Sequence, residues 1–388
     1  MQFDFDMAVN RRTINSLKWD VAENELPMWV ADMDFMAAPA IREALIKRVE
    51  KGTFGYEIVP DSWYEAIGNW WKRRHGIFFE KEWLTFCTGV VPAISSAVKR
   101  LTNIGDNVLV QTPVYDIFFH SVENGGRHVL ENKLHYDGSR YSIDFSDLEE
   151  KLAQPLTTMM ILCNPHNPVG KIWTKEELTR IGGLCKKYGV TVLSDEIHCD
   201  MIDPGSEYVP FAAASKVCAD ISMTCISASK AFNIAGLQTA AVMIPNKILR
   251  EKVVRGLNSD ELAEPNSFAI DAAIAAFNEG EEWLDELRKY LQSNKKIVRE
   301  FIEENLSMLK VVSEKATYLL WIDCSAVTND TDKLCDYIQE KTGLIITAGG
   351  QYRGDSDKFV RINTACTKDN LNDGMQRLKA SILSYNKK

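Results

Sequence analysis

The stretch Ile221-Ser222-Met223-Thr224-Cys225-Ile226-Ser227-Ala228-Ser229-Lys230-Ala231-Phe232-Asn233 runs from a short apolar segment into a polar turn that carries a lysine. The segment Ile221–Ile226 is the length of a buried strand. A lysine leaving such a strand sits in a partly desolvated setting, which lowers its pKa and frees the amine to attack a carbonyl. The hydroxyls of Ser227 and Ser229 can hydrogen-bond an anion such as phosphate. Serine and lysine are common in loops, so S-x-S-K alone is a weak signal and its surroundings must decide.

Working outward, comparable apolar runs occur at Val108–Val110, Met159–Cys163, Thr191–Leu193 and Ala240–Ile244. From about residue 37 to 280 they alternate with helical patterns, which predicts an α/β sheet with crossover helices. Pro39 can open a helix, and Ser62 with Glu65 forms a possible capping box for another. Thr174 and Glu177 box the start of a helix ending near Gly189 between two apolar runs, a strand–helix–strand unit of right-handed crossover. A long charged helix is expected from Glu281 to about Asn305. Beyond it Thr317–Ile322, Leu344–Thr347 and Phe359–Asn363 read as strands, with helices near Asp332–Lys341 and Lys368–Tyr385. The expected division is an N-terminal segment 1–45 packing with a small α+β domain 283–388, and a large domain 46–282.

A chain of 388 residues exceeds one core of ~100–200 residues, in keeping with two lobes. A hydrophobic content of 45% and a charged content of 26% exclude a disordered or fibrous chain. Lys+Arg 45 against Asp+Glu 54 leaves a net charge of −9, which argues against a nucleic-acid or anionic-membrane partner. No window approaches the ~20 apolar residues of a membrane span, and the start has no basic, apolar leader pattern. Nine scattered cysteines without a C-x-x-C pair make a metal site or disulfide framework a poor reading and suit a reducing cytoplasm.

Three further motifs sit at strand ends or turns. Asn164-Pro165-His166-Asn167-Pro168-Val169-Gly170 follows Met159–Cys163 and forms a rigid turn able to hold the Asn167 amide at a fixed angle. Ser194-Asp195-Glu196-Ile197-His198 places an acid at a strand's carboxyl end, where it can keep a heterocyclic nitrogen protonated. Thr88-Gly89-Val90-Val91-Pro92 leads into a helix whose free N–H groups can bind one phosphate. Neither a phosphate-binding G-x-x-x-x-G-K-[ST] loop nor a dinucleotide G-x-G-x-x-G is present. A lysine, an acid, an amide and a phosphate cradle together suit a phosphorylated heteroaromatic aldehyde, and pyridoxal phosphate has the matching four groups.

In this order the motifs resemble the class I/II aminotransferase superfamily, fold-type I of the pyridoxal-phosphate enzymes. That resemblance implies a large domain with a mostly parallel seven-stranded sheet sandwiched by helices, plus a small α+β domain. A narrower resemblance is to the MalY/PatB-type cystathionine β-lyases, a carbon–sulfur lyase group. It rests on Pro27-Met28-Trp29-Val30-Ala31-Asp32-Met33-Asp34-Phe35, Thr112-Pro113-Val114-Tyr115, Asp195-Glu196-Ile197-His198 and Ala228-Ser229-Lys230 through Gly236-Leu237-Gln238. It implies that Lys230 forms the Schiff base, Asp195 pairs with the pyridine nitrogen and Asn167 bonds the ring hydroxyl. Tyr115 would stack on the ring, His198 would lie beside the cofactor, and Gly89, Val90, Ser227 and Ser229 would hold the phosphate. Arg361 would clamp the substrate carboxylate, with Trp29 also on the substrate side. Tyr56 would reach the phosphate of the partner subunit's cofactor, which makes a homodimer the functional unit.

The activity so implied is β-elimination from a sulfur-bearing L-amino acid, with Lys230 and Tyr115 as the proton-handling residues, releasing thiol, pyruvate and ammonia. Gln238 stands where many aminotransferases place an arginine, and His198 where they often have a tyrosine; both fit the lyase group. The run Gly349–Asp357 is unusually charged for that group, so substrate preference could shift there. The alternatives are an aminotransferase, and a lyase with an added regulatory protein-binding role.

Overall fold

Each apolar run anticipated as a buried strand is one. The computed structural model describes residues 3–385. The strands are β1 (Leu84–Cys87), β2 (Asn107–Thr112), β3 (His128–Lys133), β4 (Thr157–Cys163), β5 (Thr191–Asp195), β6 (Ser222–Ile226) and β7 (Ala240–Met243). They form a seven-stranded sheet of spatial order β1-β7-β6-β5-β4-β2-β3. β7 runs antiparallel to both neighbours, and every other pairing is parallel. Parallel strands need crossovers that cover both faces, which is why β4 is apolar throughout. Its Met159, Ile161 and Cys163 face the side of α3 (Val90–Leu101), while Met160 and Leu162 face α4 (Lys175–Tyr188).

The capping box at Thr174 and Glu177 closes reciprocally, and α4 ends on Gly189 at a φ of 71°. The box proposed for Ser62 and Glu65 does not form. The earlier helix begins at Asp61 behind Pro60, so Ser62 already lies inside its first turn. β1 and β3, the two edge strands, were not anticipated.

The helix α5 (Glu281–Asn305) passes from one core to the other. Trp283, Leu284, Leu287 and Leu291 pack with the large lobe, and Val298 and Ile302 with the small one. The small lobe carries an antiparallel sheet of β8 (Lys310–Val311), β9 (Leu319–Asp323), β10 (Thr347–Ala348) and β11 (Phe359–Asn363), in the order β8-β9-β11-β10. The strand expected over Leu344–Thr347 is split. Leu344–Ile345 pairs in parallel with Leu26–Pro27, and only Thr347–Ala348 joins the sheet. The N-terminal segment touches both cores, since Leu26 and Met28 pack in the small lobe and Met33, Phe35 and Ile41 in the large one. No helix among the described residues is long and apolar enough to cross a membrane.

Candidate active site

Register decides what meets at the carboxyl edge of the sheet. Cys163 lies opposite Asp195, and Asp195 opposite Cys225. The Asn164–Gly170 turn, Asp195 and the Ser227–Lys230 loop therefore emerge side by side, where open α/β sheets bind ligands. The N-terminus of α3 joins them. A cavity of about 260 Å³ results, and its lining includes Gly89, Val90, Tyr115, Asn167, Asp195 and Lys230. His198, Ser227 and Ser229 line it too. Gly170 fixes the turn: its φ is 68°, and a Cβ there would lie 2.8 Å from the Ala316 carbonyl oxygen.

Burial sets the proton affinities. Lys230 is brought down to about 8 by burial foremost and then by Arg361, against the pull of Asp32 and Asp195. Asp195 is pushed up to about 7 by burial, opposed by the Ile197 N–H and by Lys230. Burial lowers His198 to about 3, with Lys230 and Arg361 adding to it, so its imidazole is neutral. Tyr115 rises to about 12, again chiefly through burial, and stays protonated at neutral pH.

Arg361, at the centre of β11, is buried. Its Nη1 donates to Asn167 Oδ1 at 3.4 Å and its Nη2 to the Trp29 carbonyl at 3.0 Å, while the guanidinium lies 5.2 Å from the Tyr352 ring centroid. Asn167 Oδ1 is thus turned to Arg361, which leaves its Nδ2 as donor to the cavity. Arg361 Nε and His198 Nδ1 are buried without a hydrogen-bond partner among the described residues. Buried polar atoms left in this state mark a place for a polar guest. An amine, a carboxylate, an amide and the amides of a helix start in one cavity fit the phosphorylated aldehyde inferred from sequence.

The Trp29–Phe35 run forms a strap over this cavity. The Ala31 carbonyl accepts from Lys230 Nζ at 2.7 Å and from Tyr318 Oη at 3.0 Å. Asn363 Nδ2 donates to the carbonyls of Val30 and Asp32, and Asn233 Nδ2 to those of Met33 and Phe35.

Some expected residues are placed differently. The Trp29 indole donates to the Lys18 carbonyl at 3.4 Å, so Trp29 meets the site through its own backbone carbonyl. Ser227 Oγ donates to the Thr239 carbonyl and accepts from the Ser229 amide, which ties it into the loop. Tyr56 is 99% exposed and is not among the residues lining the cavity. The charges of the Gly349–Asp357 run turn outward: Asp355 pairs with Lys133 and Arg353 with Glu123, whereas Tyr352 is buried beneath Arg361. These pairs join the run to the large lobe, and Tyr352 is the residue of the run that reaches Arg361. Tyr318, Asn363 and Asp32 belong to the site and were not singled out. Asp32 lay inside a quoted motif and Asn363 at the end of a predicted strand, which was the available signal.

The aminotransferase class I and II family profile matches residues 24–378, and the chain belongs to this family. Cystathionine beta-lyase PatB of Bacillus subtilis (strain 168) is 43% identical over 385 residues, covering 98% of this chain and 100% of the relative. Protein MalY of Escherichia coli (strain K12) is 32% identical, covering 97% and 98% of the two chains. Among solved structures, cystalysin from Treponema denticola, which contains a pyridoxal 5'-phosphate cofactor, superposes with a TM-score of 0.96 at 31% identity. The match covers 99% of this chain and 100% of that one.

Proposed function

We propose that this chain is a pyridoxal-phosphate-dependent carbon–sulfur lyase, acting on sulfur-bearing L-amino acids of the cystathionine type. The observation that carries the reading is the single cavity holding Lys230, Asp195 and Asn167, with Arg361 hydrogen-bonded to Asn167, in a chain similar over its whole length to a cystathionine β-lyase. When bound, the cofactor supplies a carbonyl for amines and an electron sink for the Cα carbanion.

The residues divide the remaining work. Lys230 would hold the cofactor, and its free amine would be the base for the Cα proton. A lysine at about 8 has an appreciable neutral fraction near pH 7.5, which a solvated lysine lacks. Asp195 would hold a proton on the ring nitrogen, Asn167 Nδ2 would donate to the ring oxygen, and Tyr115 would lie against the ring. The first amides of α3 and the Ser229 hydroxyl would take the phosphate. Arg361 fixes the substrate carboxylate and so orients the C–H bond that breaks. The departing thiolate takes its proton from Lys230 or from the Tyr115 hydroxyl, which is still protonated at working pH.

The functional unit in this reading is a homodimer. Tyr56 sits on a loop held by Arg48, whose Nη1 donates to the Thr53 carbonyl and Nε to the Ser267 carbonyl, and which pairs with Glu57. Ile46, Val49, Phe54 and Ile58 are exposed on the same stretch, an apolar patch that a second copy would cover. A reducing cytoplasmic setting suits the free cysteines, all buried except the half-buried Cys335.

The test is to give the purified protein L-cystathionine without a keto acid and follow thiol and pyruvate. Continuing, equal release of both supports the lyase. Amino-group transfer only on adding a keto acid, with no thiol, would make it an aminotransferase.

A further inference from the structure

The strap's own Asp32 and Asp34 form a cluster with two cations, Arg11 and Lys18. Arg11 grips Asp32 with both Nη atoms, Nη1 to Oδ1 at 3.0 Å, and Nη1 also reaches Asp34 Oδ1 at 2.8 Å and the Met33 carbonyl at 2.9 Å. Lys18 Nζ lies 2.9 Å from Asp34 Oδ2 and 4.0 Å from Asp32 Oδ1, and the Trp19 indole donates to Asp34 at 2.8 Å. The side-chain exposures are 13% for Arg11, 23% for Asp32, 1% for Lys18 and 5% for Asp34. Such pairs are weakly screened by solvent. Asp32 directly follows Ala31, whose carbonyl holds Lys230 Nζ.

We propose that Asp32 and Arg11 are positioning residues for the reaction: their ion pair sets the electrostatic field at Lys230 Nζ as well as seating the strap. The other groups facing this amine are Asp195 from β5, Arg361 from β11, the cavity-lining His198 and Tyr115, and Tyr318, whose hydroxyl shares the Ala31 carbonyl with it. Asp195 and Asp32 favour its charged form and Arg361 opposes it. The pair is balanced, so removing either member unbalances it in opposite senses. Without Asp32, the Arg11 guanidinium keeps Asp34 as its one remaining counter-charge in the cluster, already shared with Lys18, and positive potential rises at the amine. Without Arg11, the Asp32 carboxylate is left with the more distant Lys18, and negative potential rises.

The inference rests on Lys230 being the residue that holds the cofactor. The readout is the pH midpoint of the visible absorbance of the cofactor–lysine imine, measured on the full-length holoprotein without substrate. Asp32→Asn should lower this midpoint and Arg11→Gln should raise it, each by about a unit, a tenfold change in proton affinity. Arg11→Lys, which keeps the cation and loses the two-point grip, should stay near wild type and guards against loss of fold. Shifts of Asp32→Asn and Arg11→Gln in the same direction, or no shift in either, would reduce the cluster to a structural support. A displacement of Arg11→Lys equal to that of Arg11→Gln would do the same. Failure of the underlying reading looks different, because the wild-type protein would then show no lysine-dependent visible band at all.

Discussion

Replacing Arg361 by methionine tests how substrate is held, since methionine keeps the apolar stem against Tyr352 and removes only the charged fork. A carboxylate clamped at two points by a guanidinium makes two charge-assisted hydrogen bonds, each worth about 1.5–3 kcal/mol. Arg361 is already desolvated, positioned by the Trp29 carbonyl at 3.0 Å and Asn167 at 3.4 Å, and retains an unpartnered Nε. Little reorganisation is therefore needed, and about 3–5 kcal/mol of the substrate's binding and orientation should pass through this one side chain. At about 1.36 kcal/mol per decade, kcat/KM should fall on the order of 10²–10⁴-fold. The assay is pyruvate release from L-cystathionine over a range of concentrations. It is paired with a spectral titration comparing a non-eliminating L-amino acid with the corresponding amine that lacks the carboxylate. Wild type should prefer the amino acid strongly, and Arg361→Met should lose that preference. A kcat/KM within threefold of wild type, or an equal loss of affinity for the amine, would refute the assignment.

Lys230→Ala should abolish both the visible cofactor band and turnover, checked by absorbance and pyruvate release; wild-type turnover would sink its role. Tyr56→Ala should leave the fold of the single chain unchanged, because that side chain is almost wholly exposed, yet should weaken cofactor retention about tenfold or more, read by equilibrium dialysis. His166 is fully buried and its affinity for a proton falls to about 4, chiefly through burial, against an ordinary value near 6.5. Its contribution to stability is complete above about 6.5 and is lost as pH falls from there toward 4, about 2 kcal/mol by pH 5. Urea midpoints at pH 7.5 and 5 should diverge for wild type and less so for His166→Gln. Gly170→Ala adds strain in the left-handed region to a collision with the Ala316 carbonyl, and should cost about 2–4 kcal/mol in the same assay.

What could be read from the chain divides along physical lines. β2, β4, β5, β6 and β7 are the interior strands, and their double-sided burial writes continuous apolar runs. The edge strands do not carry that signature. His128–Lys133 is mostly polar or half-exposed, and Leu84–Cys87 is only four residues long. Lys230, Asp195 and Asn167 were legible because each closes a strand with a distinctive turn. Trp29 was legible as part of a motif, whereas the contact it makes is through a carbonyl that every residue possesses, which no side-chain pattern announces. Tyr318 and Asn363 converge on the strap from nearly 300 or more residues away, and no local pattern encodes such a meeting.

The strap also bears on how the protein is made. Its Val30 carbonyl waits for Asn363, 333 residues further along the chain. At ~5–20 residues per second, synthesis separates the two by about 17–67 seconds. During that interval Met33 and Phe35, destined for the core, have emerged while the β11 groups that hold the strap have not. A nascent chain stopped before residue 361 can complete the seven-stranded sheet and its lysine loop, and Asn233 can hold the Met33–Phe35 end of the strap, yet Arg361 and Asn363, which fasten the carbonyls of Trp29, Val30 and Asp32, are missing. The site in its final geometry is thereby deferred to the end of translation, and truncated products are left with a strap fastened only in part for chaperones and proteases to recognise.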